Sequence, residues 1–94
     1  MSVARIRVEL PSLLAPIAGG ARSFELEAET LAGALDEAVR LHPALRARLF
    51  DEAGDFRQHV LCFHNRTNSR WLESREIALA DGDTITFMQA VSGG

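Results

Sequence analysis

The chain closes on Val91-Ser92-Gly93-Gly94, and the α-carboxylate of Gly94 is the group at that end able to react. Glycine lacks a Cβ and tolerates backbone angles closed to other residues, so a Gly-Gly end is slim enough to thread a narrow enzyme channel. A carboxylate presented in this way could be the substrate of another protein. A second candidate lies at Cys62, flanked by His59 and His64. A thiol beside an imidazole is a familiar arrangement for nucleophilic catalysis. Against it, Cys62 stands within the apolar run Val60-Leu61-Cys62-Phe63, where a thiol behaves as a small, inert hydrophobe. A single cysteine also excludes an internal disulfide and falls short of four-cysteine zinc and iron–sulfur sites.

The tail gains meaning from what precedes it. Asp81-Gly82-Asp83 is a turn signal, and Thr84-Ile85-Thr86-Phe87-Met88 is a β-branched and aromatic run that reads as a strand. A short flexible tail, about residues 90–94, therefore leaves an anchored strand. Alternation puts Ile85 and Phe87 toward the core and turns Met88 outward.

Farther upstream, Arg5-Ile6-Arg7-Val8-Glu9-Leu10 and Ser23-Phe24-Glu25-Leu26-Glu27-Ala28 both alternate charged with apolar residues, predicting two strands with one wet face each. Pro11, Pro16 and Gly19-Gly20 mark a long, partly apolar hairpin loop between them. Thr30 can cap a helix in which Leu31, Ala34, Leu35, Ala38, Val39 and His42 share a face. Pro43 ends that helix and opens a shorter one from Ala44 to Phe50. Residues 51–55 read as a loop. His59 to His64 predicts a strand whose unbroken apolar run implies burial on both faces. Asn65 to Ser69 then reads as a polar turn, and residues 71–79 as a short irregular segment. The expected architecture is α+β: one domain over residues 1–94, a mixed sheet with one main helix and one short helix.

Composition narrows the function. At 94 residues and 47% apolar, the chain suits one globular core. Its net charge of −3 and scattered basic residues argue against a nucleic-acid surface. No apolar run is long enough to cross a bilayer, and Arg5 and Arg7 interrupt the start, so no membrane partner and a cytoplasmic location are expected. All 10 Lys/Arg positions are arginine, so no lysine amine is offered as an acceptor for isopeptide attachment.

The element order, Asp81-Gly82-Asp83, Phe87 and the ending Val91-Ser92-Gly93-Gly94 together resemble the ubiquitin-like sulfur carriers of the ThiS/MoaD family, which adopt the β-grasp fold. Leu10-Pro11-Ser12-Leu13-Leu14-Ala15-Pro16 with Gly19-Gly20 is similar to the start of the branch used for protein-bound cysteine biosynthesis in actinobacteria. Gln89-Ala90 departs from the two prolines that many molybdopterin-synthase small subunits carry before the valine.

The resemblance implies a carrier, not an enzyme, with no cofactor or metal of its own. A ubiquitin-activating-like adenylyltransferase and sulfurtransferase, using ATP and magnesium, would convert the Gly94 carboxylate into a thiocarboxylate, while Gly93 keeps the tail slim. The sulfur would then pass to a pyridoxal-phosphate cysteine synthase, with a metalloprotease releasing the product, or to a molybdopterin-synthase large subunit. Partners would dock on the sheet face near the tail, on Met88 and Val91, extended by Trp71 and Leu72. A β-grasp interaction module without sulfur chemistry, and an enzyme built on Cys62, are the readings from other classes.

Overall fold

The computed structural model describes residues 3–69 and 74–89. Five strands form one mixed sheet in the order β2-β1-β5-β3-β4. They are β1 (Ala4–Glu9), β2 (Ser23–Ala28), β3 (Val60–His64), β4 (Thr67–Asn68) and β5 (Thr84–Gln89). β1 and β2 pair antiparallel, as do β3 and β4, while β5 runs parallel to β1 and antiparallel to β3. The last strand in the chain is thus the middle strand of the sheet.

Helix α1 (Leu31–Leu41) lies across one face. Thr30 caps it by accepting the Gly33 N–H on its hydroxyl, and Leu31, Ala34, Leu35, Ala38 and Val39 are the residues it buries. These are the five apolar positions of the predicted stripe. His42, at the C-cap, is half-buried and meets the Phe24 ring edge-on at 4.7 Å. Helix α2 (Leu45–Leu49) is shorter at both ends than expected and buries Leu45 and Leu49. Opposite the helices, the sheet contributes Ile6 and Val8 of β1, Leu26 of β2, Val60 and Cys62 of β3, and Ile85 and Phe87 of β5.

Three expectations need correction. The β1–β2 connection is not a plain loop: Ser12–Ala18 winds into a 3-10 helix that buries Leu14, Ala15 and Ala18, tucking its apolar residues under the sheet rim. The polar turn after β3 is tighter than expected, because Asn65 adopts φ 55 and lets Thr67–Asn68 fold back as β4. Asparagine tolerates that left-handed conformation better than most residues. Finally, β3 is not buried on both faces. Val60 and Cys62 face the helices, but Leu61 and Phe63 are half-buried, because among the described residues no second layer covers the outer face of the sheet.

Phe87 anchors the strand that leads to the tail. It is 1% exposed, 6.3 Å from the Phe56 ring, which stacks on Phe50 at 4.9 Å. Arg75 closes this aromatic column, its guanidinium 4.5 Å from the Phe56 centroid. Met88, one residue on, is 48% exposed. Phe87→Ala is therefore expected to cost about 3 kcal/mol or more through the cavity it leaves. Met88→Arg should shift stability by only about 0.5 kcal/mol. Urea unfolding of both variants checks the pair, and the reverse order would place the register of β5 one residue off.

Candidate functional site

The start of β5 is tied to both neighbours through the Asp81-Gly82-Asp83 turn. Gly82, at φ 89, makes the bend, and its N–H donates to the Arg5 carbonyl at 3.0 Å while the Arg5 N–H donates to Asp81 Oδ1 at 2.8 Å. On the other side, Asp83 is the acceptor for three donors. His64 Nε2 lies 2.8 Å from Oδ2, the Ala80 N–H 3.0 Å from the same oxygen, and the Asn65 amide 3.2 Å from Oδ1. An ionised carboxylate only accepts, so the His64 proton sits on Nε2. Asn65 completes the knot by accepting the Thr84 N–H on its side chain at 2.9 Å and donating its own N–H to the Thr84 carbonyl at 2.7 Å. The turn was legible in the sequence. Its His64 partner was not, because 19 residues separate the pair.

The outer face at the other end of β5 carries the exposed apolar side chains. Met88 stands directly opposite Leu61, and Phe63 opposite Thr86, so Leu61, Phe63 and Met88 share one face of the β3–β5 pair. Leu61 and Phe63 were not singled out as surface residues. The signal was available in their alternation with Val60 and Cys62 once the sheet is known to be covered on one side only. Of the other residues expected at the site, Trp71, Leu72, Val91, Gly93 and Gly94 lie outside the described residues.

Cys62 is 1% exposed, on the helix-facing side of β3, and burial pushes its thiol up to about 11. A thiol held protonated and shut off from solvent is no nucleophile, which removes the enzyme reading built on it. His59 is exposed and His64 is engaged with Asp83. Among the described residues no group of three or more His, Cys, Asp or Glu side chains could hold a metal ion, and no helix is long and apolar enough to cross a membrane.

A mixed five-stranded sheet packed on one main helix, with β5 at its centre, defines a β-grasp fold. Residues 8–94 match the ThiS family model, and the chain belongs to that family, whose members are sulfur carriers and not catalysts. It is 29% identical over 91 residues to the sulfur carrier protein CysO of Mycobacterium tuberculosis, covering 95% of this chain and 98% of that one. It is 33% identical over 84 residues to the small archaeal modifier protein 1 of Haloferax volcanii, covering 86% and 91%. A solved BexX/CysO complex from Amycolatopsis orientalis contains a chain similar to it, with TM-score 0.82, 29% identity and coverage of 95% and 99%.

The knot at Asp83 makes a pH prediction. Its carboxyl is held below the ordinary carboxylate value, first by the His64 hydrogen bond and then by the Ala80 N–H. A carboxyl lowered on folding stabilises the fold fully above its unfolded pKa, about 4, and loses that contribution as pH falls through the lowered value. Asp83→Asn should cost about 2 kcal/mol at neutral pH. The gap to the native chain should close in acid, below the ordinary carboxylate range. Denaturant unfolding of both proteins across that pH range checks it; a gap that widens in acid would reverse the assignment.

Proposed function

We propose that the chain carries sulfur as a thiocarboxylate on Gly94 for the synthesis of cysteine. The observation that carries this reading is the placement of β5. It is held on both edges, its core residue Phe87 is fully buried, and it ends at Gln89, five residues before Gly94 and beside the Leu61–Met88 face. A carrier needs a fixed body, a surface to dock and a narrow reactive end, and this arrangement supplies the first two next to the third.

A carboxylate is a poor electrophile, so its activation comes first. Transfer of AMP from ATP to the Gly94 carboxylate, with magnesium on the phosphates, releases pyrophosphate and gives an acyl adenylate. Sulfide displaces AMP: the C–S bond forms, the C–O bond to AMP breaks, and the product is a thiocarboxylate. Every catalytic group in these steps belongs to the adenylyltransferase and its sulfur donor. Met88, with Leu61 and Phe63 beside it, is the docking face, where a flexible thioether suits several partners in turn. Val91, Trp71 and Leu72 are the further residues assigned to docking.

For the acceptor, a serine derivative activated on its hydroxyl and held by a pyridoxal-phosphate enzyme loses phosphate or acetate from its β-carbon, and the thiocarboxylate sulfur bonds there in its place. An acyl shift from sulfur to nitrogen then leaves cysteine amide-linked to Gly94, and a protease releases it. Similarity to the CysO carriers along nearly their whole length, together with Gln89-Ala90 where molybdopterin-synthase small subunits carry prolines, favours this acceptor over a molybdopterin-synthase large subunit. The likeness to a small archaeal modifier protein favours a second use of the same activated end, modification of other proteins.

The thiocarboxylate form, incubated with such an enzyme and O-phosphoserine or O-acetylserine, should become heavier than the unmodified carboxylate form by the mass of one cysteinyl residue. A chain lacking Gly94 should gain nothing while unfolding at an unchanged temperature. Sulfur transfer to a molybdopterin precursor, with no cysteinyl adduct from either donor, would assign the chain to the other branch.

A further inference from the structure

The parallel ladder between β1 and β5 stops short of the end of β5, and the residue that stops it is Pro11. The register pairs Arg7 with Thr84 and Glu9 with Thr86, and the Arg7 N–H donates to the Asp83 carbonyl. In a parallel ladder each paired residue of β1 donates to the β5 residue before its partner and accepts from the one after it. The odd-numbered residues of β5 thus turn their backbone groups toward β1. The even-numbered ones turn toward β3, as the bond from the Asn65 N–H to the Thr84 carbonyl shows.

Continued by one step, the ladder would set Pro11 opposite Met88, donating to the Phe87 carbonyl. Proline has no N–H to give. Pro11 instead begins the 3-10 turn and β1 leaves the sheet, with the Leu10 N–H bonded to the Arg22 carbonyl of the neighbouring strand. The Phe87 carbonyl and the Gln89 N–H are left facing an open groove of about 620 Å³ lined by Glu9, Leu10, Pro11, Arg22, Met88 and Gln89. No hydrogen bond among the described residues occupies either group on that side.

A donor and an acceptor two residues apart on one strand edge are complementary to another extended backbone, as in strand addition. Glu9 and Arg22 both line the groove, so its charges are mixed, and it is Arg22 that fits an acidic side chain on an occupant. The ion pairs among the described residues, Arg5–Glu25, Arg40–Glu37 and His64–Asp83, leave the exposed Arg22 in this groove without one.

We propose that the groove beside Phe87–Gln89 receives an extended strand of the enzyme that activates the tail, paired to the Phe87 carbonyl and the Gln89 N–H and carrying an acidic side chain opposite Arg22. The inference rests on the carrier reading above and adds how the enzyme holds the tail in line. An added strand fixes the direction in which residues 90–94 leave the body. Because the docked edge ends where the tail begins, binding and threading become one event.

The test uses the full chain and its adenylyltransferase without ATP. Amide exchange at Gln89 should slow in the complex. Gln89→Pro removes an N–H with no partner inside the fold, so it should unfold like the native chain yet bind the enzyme about tenfold more weakly. Gln89→Ala, which keeps the N–H, should bind normally, and Arg22→Glu should weaken binding. A complex in which Gln89 exchanges as fast as in the free chain, or a Gln89→Pro variant that binds normally, overturns the strand proposal and leaves the carrier reading standing. No complex at all overturns both.

Discussion

Everything in this molecule hangs on β5 being held from both sides at its start and from below at its end. The Asp83 carboxylate collects donors from His64, Asn65 and Ala80, while the backbone of the same turn bonds to β1 through Arg5 and Arg7. Phe87 then fixes the far half of the strand in the core. A last strand placed in the middle of a sheet is protected from fraying at both edges, a protection that terminal strands at an edge lack. The point at which the chain leaves the sheet, Gln89, is therefore set by pairing on one edge with β3 and by the burial of Phe87.

One-sided coverage of the sheet explains the rest of the surface. The helices take Val60, Cys62, Ile85 and Phe87, and the same pleat pushes Leu61, Phe63 and Met88 to the open face. The covered face puts Cys62 beyond the reach of any substrate. Among the described residues, Leu61 and Phe63 are half-buried on that face and Met88 is 48% exposed, the apolar surface on which the proposed docking rests.

How much of this the sequence disclosed depended on the range of the interaction involved. Periodicity reports local geometry, so the stripe on α1, the Thr30 cap, the bounds of β2 and the inward turn of Phe87 were all readable. β3 misled because an unbroken apolar run describes a strand between two layers equally well as a strand whose outer residues form an exposed patch. The 3-10 helix hid behind Pro11 and Pro16, which usually signal loops, and β4 is only two residues long. The His64–Asp83 bond and the placement of Arg75 over Phe50 and Phe56 are contacts between distant parts of the chain, invisible to any window along it. At the candidate site, the exposure of Met88 could be read from alternation; the shared face with Leu61 and Phe63 and the edge behind Pro11 needed the register.

The account stands or falls on what Gly94 carries in the cell. Intact mass measurement of the chain isolated from its native host, with fragmentation to place any modification, addresses this directly. Replacement of one oxygen by sulfur, confined to the C-terminal residue and lost on treatment with a thiol-alkylating scavenger as an alkylated thiocarboxylate appears, is the predicted result. A chain carrying an unmodified carboxylate under every condition of sulfur demand, or sulfur located on Cys62 instead, would contradict it.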